Sequence, residues 1–124
     1  MPTTAYTKIP YYYADAANYK ASAEFFVEGI LTAKDIAAIT TKLDSSEMFI
    51  PIQVGLESMQ HVLSSFPSED DHVWHILELS ASTQCDTLPE DTSVTCTVAE
   101  LVARFENVKL WDVTEEHHRL RLDE

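Results

Sequence analysis

The sequence predicts a single α+β domain over residues 1–124, with an antiparallel sheet of three to four strands packed by two to three helices. Two periodicities predict this class: apolar residues alternate with polar ones in some segments, and recur at helical spacing after threonine caps in others. The chain has 124 residues, which is long enough to bury a core without disulfides or a metal. Its two glycines are too few for tight all-β hairpins or glycine-rich phosphate loops.

The clearest strand and helix lie between Asn18 and Leu43. Apolar side chains fall on one side of a two-residue pleat, with Phe26 breaking the pattern on the other: Tyr19, Ala21, Ala23, Phe25 and Val27. Gly29 supplies the backbone freedom that ends this strand. Thr32 and Asp35 have the spacing of a capping box, so a helix is expected to begin after Thr32.

The first seventeen residues are predicted to form an edge strand near Ala5–Ile9 followed by an irregular arm. Pro10 restricts any strand here to an edge or breaks it. Closely spaced tyrosines follow it: Tyr11, Tyr12 and Tyr13. They either cover the open side of the sheet or form a contact patch, and we favour the covering role because neighbours in a strand alternate in direction.

The middle of the chain predicts one weak and two stronger elements. Pro51 makes residues 48–52 either an edge strand or an extended buried loop. Residues 56–66 carry apolar side chains at helical spacing, so a short helix ended by Pro67 is expected. Residues 73–79 alternate well enough for a strand, with apolar side chains on both faces.

The last third contains the most secure helix. Residues 80–96 are predicted to be a long acidic loop without structure of its own. Thr97 and Glu100 then form a capping box ahead of an apolar stripe. The tail suits either a strand or a short helix beginning after Thr114, and the helix is favoured because acids come first and arginines last.

Charge is the extreme feature of the composition. Twenty-one acids against eight bases leave a net charge of −13, and no lysine or arginine lies between Leu43 and Ala103. Such a chain repels nucleic acid and anionic membranes, and it attracts basic surfaces. The alternative interpretation is that the acids simply keep the protein soluble.

Nothing in the sequence predicts a cofactor, a metal site or an enzyme. His72 and His75 with Cys85 and Cys96 are the best zinc candidates, but residues three apart on a strand point to opposite faces. One histidine is therefore expected to be packed and one exposed, and the cysteines are expected to be free thiols. No secretory signal or apolar membrane span is recognisable, so a cytoplasmic location is expected.

The leading hypothesis is a non-enzymatic interaction protein whose acidic face blocks a basic, nucleic-acid-binding surface of another protein. By analogy of composition, small inhibitors from phages and mobile elements use this logic, including DNA mimics and anti-CRISPR-type proteins. The predicted acidic face comprises Asp44, Glu47, Glu57, Glu69, Asp70, Asp71, Asp86, Glu90 and Asp91. The alternative hypothesis is an assembly subunit that forms a homo-oligomer or larger complex through apolar surface at Tyr11, Tyr12, Tyr13, Trp74 and Ile76.

Overall fold

The computed structural model describes residues 5–63, 66 and 71–120. Within them, three α-helices accompany a curled, six-stranded sheet. The strands are β1 (Tyr6–Ala14), β2 (Lys20–Glu28), β3 (Met48–Phe49), β4 (His75–Leu77), β5 (Thr83–Cys85) and β6 (Cys96–Thr97). The helices are α1 (Ala33–Lys42), α2 (Val98–Glu106) and α3 (Val113–Leu120).

The sheet has more strands than the sequence predicted. Its order is β3-β4-β1-β2-β6, and β5 pairs with β1 on the side that β4 also occupies. Every pairing is antiparallel except the short parallel one between β2 and β6. The mixed α/β class is confirmed, while three to four strands is an underestimate because two strands of two residues and two of three complete the sheet.

Strand β1 is central and continues to Ala14. The strand predicted near Ala5–Ile9 is therefore present from Tyr6, but its edge position and the irregular arm predicted after it were wrong. The Pro10 carbonyl accepts a hydrogen bond from the Glu78 N–H at 3.0 Å, on the side away from β2. The proline nitrogen faces the same side, because both backbone polar groups of a strand residue point the same way. On that side of β1, Pro10 lies between the residues that pair with β4 and those that pair with β5. The missing N–H of Pro10 therefore removes no hydrogen bond between paired strands.

The core lies between the helices and one face of β1 and β2. Alternate residues of β1 are buried on this face, including Ile9, Tyr11 and Tyr13. The helices supply their apolar stripes to the same core: Ile39 and Leu43 from the first helix region, and Leu101 and Phe105 from α2. The prediction that Tyr19–Val27 would present one apolar face is confirmed from Ala21 onward, although Phe26 is buried as well.

Both predicted capping boxes are present. The Thr32 side chain accepts from the Asp35 N–H at 3.2 Å, and the Asp35 carboxylate accepts from the Thr32 N–H at 3.0 Å. Thr97 and Glu100 make the same reciprocal pair at the start of α2. The C-terminal helix α3 is also confirmed, and it begins one residue before Thr114.

Two predictions for connecting segments were wrong. A helix was predicted over residues 56–66, of which 64 and 65 lie outside the described residues; residues 56–63 contain one short 3-10 turn, Gln60–Val62, instead. The acidic segment 80–96, predicted to lack structure of its own, includes β5 and the first residue of β6.

Among the described residues, no helix has the length and apolar character that crossing a membrane requires.

Candidate binding surface

Two exposed acidic groups stand out on the surface. The first, the hairpin acids, comprises Asp44 and Glu47 in the turn between α1 and β3. Asp44 and Met48 exchange two backbone hydrogen bonds of 2.8 Å, which closes a tight turn. Ser45 and Ser46 occupy positive φ within it, at 52° and 67°. The closed turn leaves both carboxylates in solvent.

The second group, the loop acids, comprises Asp86, Glu90 and Asp91 between β5 and β6. The Thr92 N–H donates to the Pro89 carbonyl at 3.2 Å, and Asp91 has a positive φ of 61°. Aspartate tolerates this left-handed conformation better than most residues. This turn contains Glu90 and Asp91, Asp86 directly follows β5, and all three carboxylates are exposed.

The two groups are anchored at opposite ends of β1. The hairpin acids adjoin β3, whose Met48 pairs with Ile76, and Ile76 in turn pairs with Tyr12. The loop acids follow Cys85, which pairs with Tyr6. Tyr12 lies six residue steps along the strand from Tyr6, or roughly 20 Å. The structure therefore brings these five acids into two separate groups rather than one cluster.

None of these five carboxylates forms an ion pair with a lysine or arginine in the described part of the chain. The bases that do form such pairs contact other acids: Lys8 lies 3.7 Å from Glu24, and Arg119 binds Glu116. Unpaired exposed carboxylates keep their full negative charge available to a partner.

The remaining predicted acids are more scattered. Glu57 is exposed and lies 3.9 Å from the His61 ring nitrogen. Asp71 is half-buried and accepts a hydrogen bond from the Tyr13 hydroxyl. That bond and burial raise the pKa of Tyr13, with burial as the larger cause. Glu69 and Asp70 lie outside the described residues.

The residues of the apolar alternative do not share one surface. Tyr11 and Tyr13 are buried core residues with 3% and 0% exposure, so they contribute no contact surface. Trp74 is half-buried and packs against the core. Tyr12 and Ile76 are half-buried cross-strand neighbours on the sheet face away from the core. These two residues are what remains of the predicted apolar patch.

A buried polar cluster at α3 was missed by the sequence analysis. Glu116 is only 1% exposed, and Arg119 donates to both of its carboxylate oxygens, at 2.5 Å from Nε and 2.8 Å from Nη2. Arg119 Nη2 also donates to Ser58 Oγ at 2.8 Å. The spacing of three residues between Glu116 and Arg119 was the available signal, because residues three apart on a helix are neighbours.

The cluster borders a groove of about 520 Å³ whose lining includes Ile52, Phe66 and Leu120 together with Ser58 and Arg119. The Ser58 hydroxyl is bound to Arg119 and Glu116. Within the described residues no histidine nitrogen is hydrogen-bonded to it. These contacts attach the segment that contains Ser58 to α3.

His72 and His75 are both held by backbone groups. His75 Nε2 accepts from the Met59 N–H at 3.0 Å, which places its proton on Nδ1 facing the Val73 carbonyl. His72 Nδ1 accepts from the Trp74 N–H, so its Nε2 donates to the Ala14 carbonyl at 2.7 Å. His75 is buried as expected for one of the pair, whereas His72 is half-buried rather than exposed.

The described residues contain no group of three or more histidine, cysteine or acidic side chains that could hold a metal ion. Cys85 and Cys96 are free thiols, and Cys96 is buried. No known protein family matches the chain, and no curated protein or solved structure is significantly similar to it.

Proposed function

We propose that this protein is a non-enzymatic binding protein whose acidic surface engages a basic surface of another protein. One observation carries the proposal: the hairpin acids and the loop acids are exposed and have no lysine or arginine partner among the described residues. A basic partner would supply the missing countercharge, and the segment between Leu43 and Ala103 itself contributes no lysine or arginine that would repel it.

The two groups also fit a partner that normally binds nucleic acid. Duplex DNA carries one negative charge per about 1.7 Å of its axis, so a DNA-binding surface is adapted to carboxylates distributed over tens of ångströms. Two acidic groups whose anchors lie roughly 20 Å apart would contact such a surface at two positions. In this proposal the protein blocks its partner by occupying the nucleic-acid site, as inhibitors of the DNA-mimic and anti-CRISPR type do.

The test combines capture with charge neutralisation. Immobilised protein is incubated with host lysate at low salt, captured proteins are eluted by a salt gradient, and duplex DNA is added as competitor. Two variants neutralise one group each, Asp44→Asn/Glu47→Gln and Asp86→Asn/Glu90→Gln/Asp91→Asn. The matched control is Glu106→Gln/Glu115→Gln, which removes two exposed acids from helices. Glu116 is unsuitable as a control because it is buried and bound to Arg119.

We expect a basic protein that elutes at intermediate salt, that DNA displaces, and that elutes earlier from at least one acidic-group variant than from the control. Each lost ionic contact should also flatten the salt dependence of the affinity. A captured protein whose elution is independent of salt, or equal for all variants, would refute the proposal.

A further inference from the structure

Among the residues that the structure describes, the outer edge of β2 is unpaired over most of its length. On this side, and within the same residues, β2 pairs only with β6, at Val27 and Glu28, and the Phe26 carbonyl accepts from the Thr95 N–H at 2.9 Å. Residues 20–25 have no strand beside them on this side in the described structure. An open strand edge is a template for another strand.

The direction of the backbone groups along this edge follows from Phe26. Its carbonyl points outward to Thr95, and backbone direction repeats every second residue in a strand. Lys20, Ser22 and Glu24 therefore direct their N–H and carbonyl groups away from β1. The pairing of Pro10 with Glu24 supports this assignment. The Pro10 carbonyl accepts from the Glu78 N–H on the side away from β2, so Pro10 and Glu24 form a non-hydrogen-bonded pair and Glu24 directs its own backbone groups away from β1.

We propose that a second copy of this chain pairs with this edge, antiparallel and symmetric about Ser22. Ser22 then lies opposite the partner's Ser22, and Lys20 lies opposite the partner's Glu24. All three outward-facing residues would form hydrogen-bonded pairs of the antiparallel ladder. The result is one continuous sheet across a two-fold axis, with the same residues contributed by both protomers.

Charge complementarity is the reason for choosing a second copy as the occupant. Lys20 and Glu24 are both exposed and lie on the same face of the strand, four residues apart. Lysine on an edge strand usually discourages pairing. In this register, however, each lysine faces the partner's Glu24, which within its own chain lies 3.7 Å from Lys8, so the symmetric dimer places each Glu24 between two lysines.

The length of the open edge also fits. Asn18 has a positive φ of 68°, so the chain turns away directly before the strand, while β6 covers the edge from Val27. The five residues from Lys20 to Glu24 therefore pair with their own copies without meeting β6. Ala21 and Ala23 are small, and Tyr19, which is 64% exposed, would lie opposite the partner's Phe25.

Salt distinguishes this dimer from the binding of a basic partner. Two chains of net charge −13 repel each other, and salt screens that repulsion. Self-association is therefore expected to strengthen with added salt, whereas capture of a basic protein weakens. The dimer does not depend on the proposed function, and either one can fail without the other.

The first test is the mass of the purified full chain by sedimentation equilibrium over a concentration series at low and high salt. We expect a dimer of the 14.0 kDa chain, favoured by salt. Ser22→Pro should give a monomer with an unchanged fold, because it removes only an outward-facing donor. Ala23→Pro, one residue further, removes a donor to β1 and should lower the thermal unfolding temperature instead.

The second test establishes the register. Lys20→Glu and Glu24→Lys each place like charges opposite each other twice, which should weaken the homodimer roughly tenfold. A mixture of these two variants should form a heterodimer at high salt. In it, the Lys20→Glu chain has acids at positions 20 and 24 and the Glu24→Lys chain has lysines at both, so both facing pairs are opposite in sign. Lys34→Glu and Glu106→Lys, at exposed helix positions, are the matched controls and should leave dimerisation unchanged.

A chain that stays monomeric at every concentration and salt would overturn the proposal, and so would a dimer that persists in Ser22→Pro. A dimer that the charge reversals leave unaltered would overturn the register.

Discussion

Arg119 Nε and Nη2 bind the two carboxylate oxygens of Glu116 at 2.5 and 2.8 Å, and the carboxylate is 99% removed from solvent while the arginine remains 43% exposed. The same guanidinium reaches Ser58, on a segment 61 residues earlier in the chain. This pair therefore attaches α3 to the rest of the domain through polar contacts in addition to its apolar residues.

Arg119→Met should destabilise the protein because it leaves a buried carboxylate without its countercharge. Breaking a fully buried pair costs about 3–5 kcal/mol, and the exposure of Arg119 reduces this to about 2–3 kcal/mol. Urea unfolding at pH 7 measures the change in the free energy of unfolding.

The double variant Glu116→Gln/Arg119→Met should recover a large part of that loss, since the buried charge is then absent. Lys109→Met, which removes an exposed cation, is the control and should remain within about 0.5 kcal/mol of the wild type. A double variant no more stable than Arg119→Met would show that the buried charge is not the cause.

His75 should make the protein sensitive to mild acid. Burial lowers the pKa of His75 to about 3, while its hydrogen bond to the Val73 carbonyl opposes that shift. In the unfolded chain the pKa is about 6.5, so between these values the unfolded state binds more protons and stability falls as the pH falls. The contribution between pH 7 and pH 4.5 is about 2–3 kcal/mol.

The measurement is urea unfolding at several pH values in this window. His75→Phe should be less stable at pH 7 by about 1–3 kcal/mol, because the Met59 N–H loses its acceptor. Its stability should nevertheless change less between pH 7 and pH 4.5. Thr41→Ala, which changes no titratable group, is the control and should keep the wild-type pH dependence. Equal slopes for wild type and His75→Phe would exclude His75 as the source.

The elements that sequence predicted correctly are those whose signals are local. Strand β2 follows from the alternation of its own side chains, and α1 and α2 follow from capping boxes whose partners lie three residues apart. None of these signals depends on contacts with residues distant in the chain.

The wrong predictions fell where tertiary hydrogen bonds decide the backbone. Residues 56–63 have helical apolar spacing, yet the Met59 N–H donates to His75 and the Glu57 carbonyl accepts from the Tyr11 hydroxyl at 2.7 Å. These partners, 16 and 46 residues away in the chain, take the place of helical ones. Similarly, Pro10 is compatible with a central strand only because the ladder is interrupted beside it.

For the candidate binding surface, sequence predicted the exposed acids of both groups but not their separation.

Glu115 and Glu116 looked alike as acids at a helix start, although Glu115 is exposed and Glu116 is buried against Arg119. Helical spacing indicates which residues share a face. It does not indicate that the segment containing Ser58 will cover the face of α3 that carries Glu116.

Thr97→Ala should cost about 1 kcal/mol by removing the cap of α2. The Thr97 hydroxyl accepts from the Glu100 N–H at 3.1 Å, and no other group within the described residues replaces it. Thr41→Ala is the control, because that exposed hydroxyl donates only to the Ala37 carbonyl within α1. Thermal unfolding should lower the midpoint for Thr97→Ala and leave the control close to the wild type; equal shifts would contradict a capping role.

Gly55→Ala should destabilise the protein for two separable reasons. Gly55 ends a 3-10 turn at a positive φ of 77°, which costs an alanine about 1 kcal/mol. A β-carbon there would also lie 2.9 Å from Arg104 Nη1, which donates to the Val54 carbonyl at 3.3 Å. Combining Gly55→Ala with Arg104→Met removes the collision but keeps the backbone strain. Urea unfolding of the four proteins should therefore show the double variant more stable than the sum of the single changes, whereas strict additivity would mean that φ alone accounts for the loss.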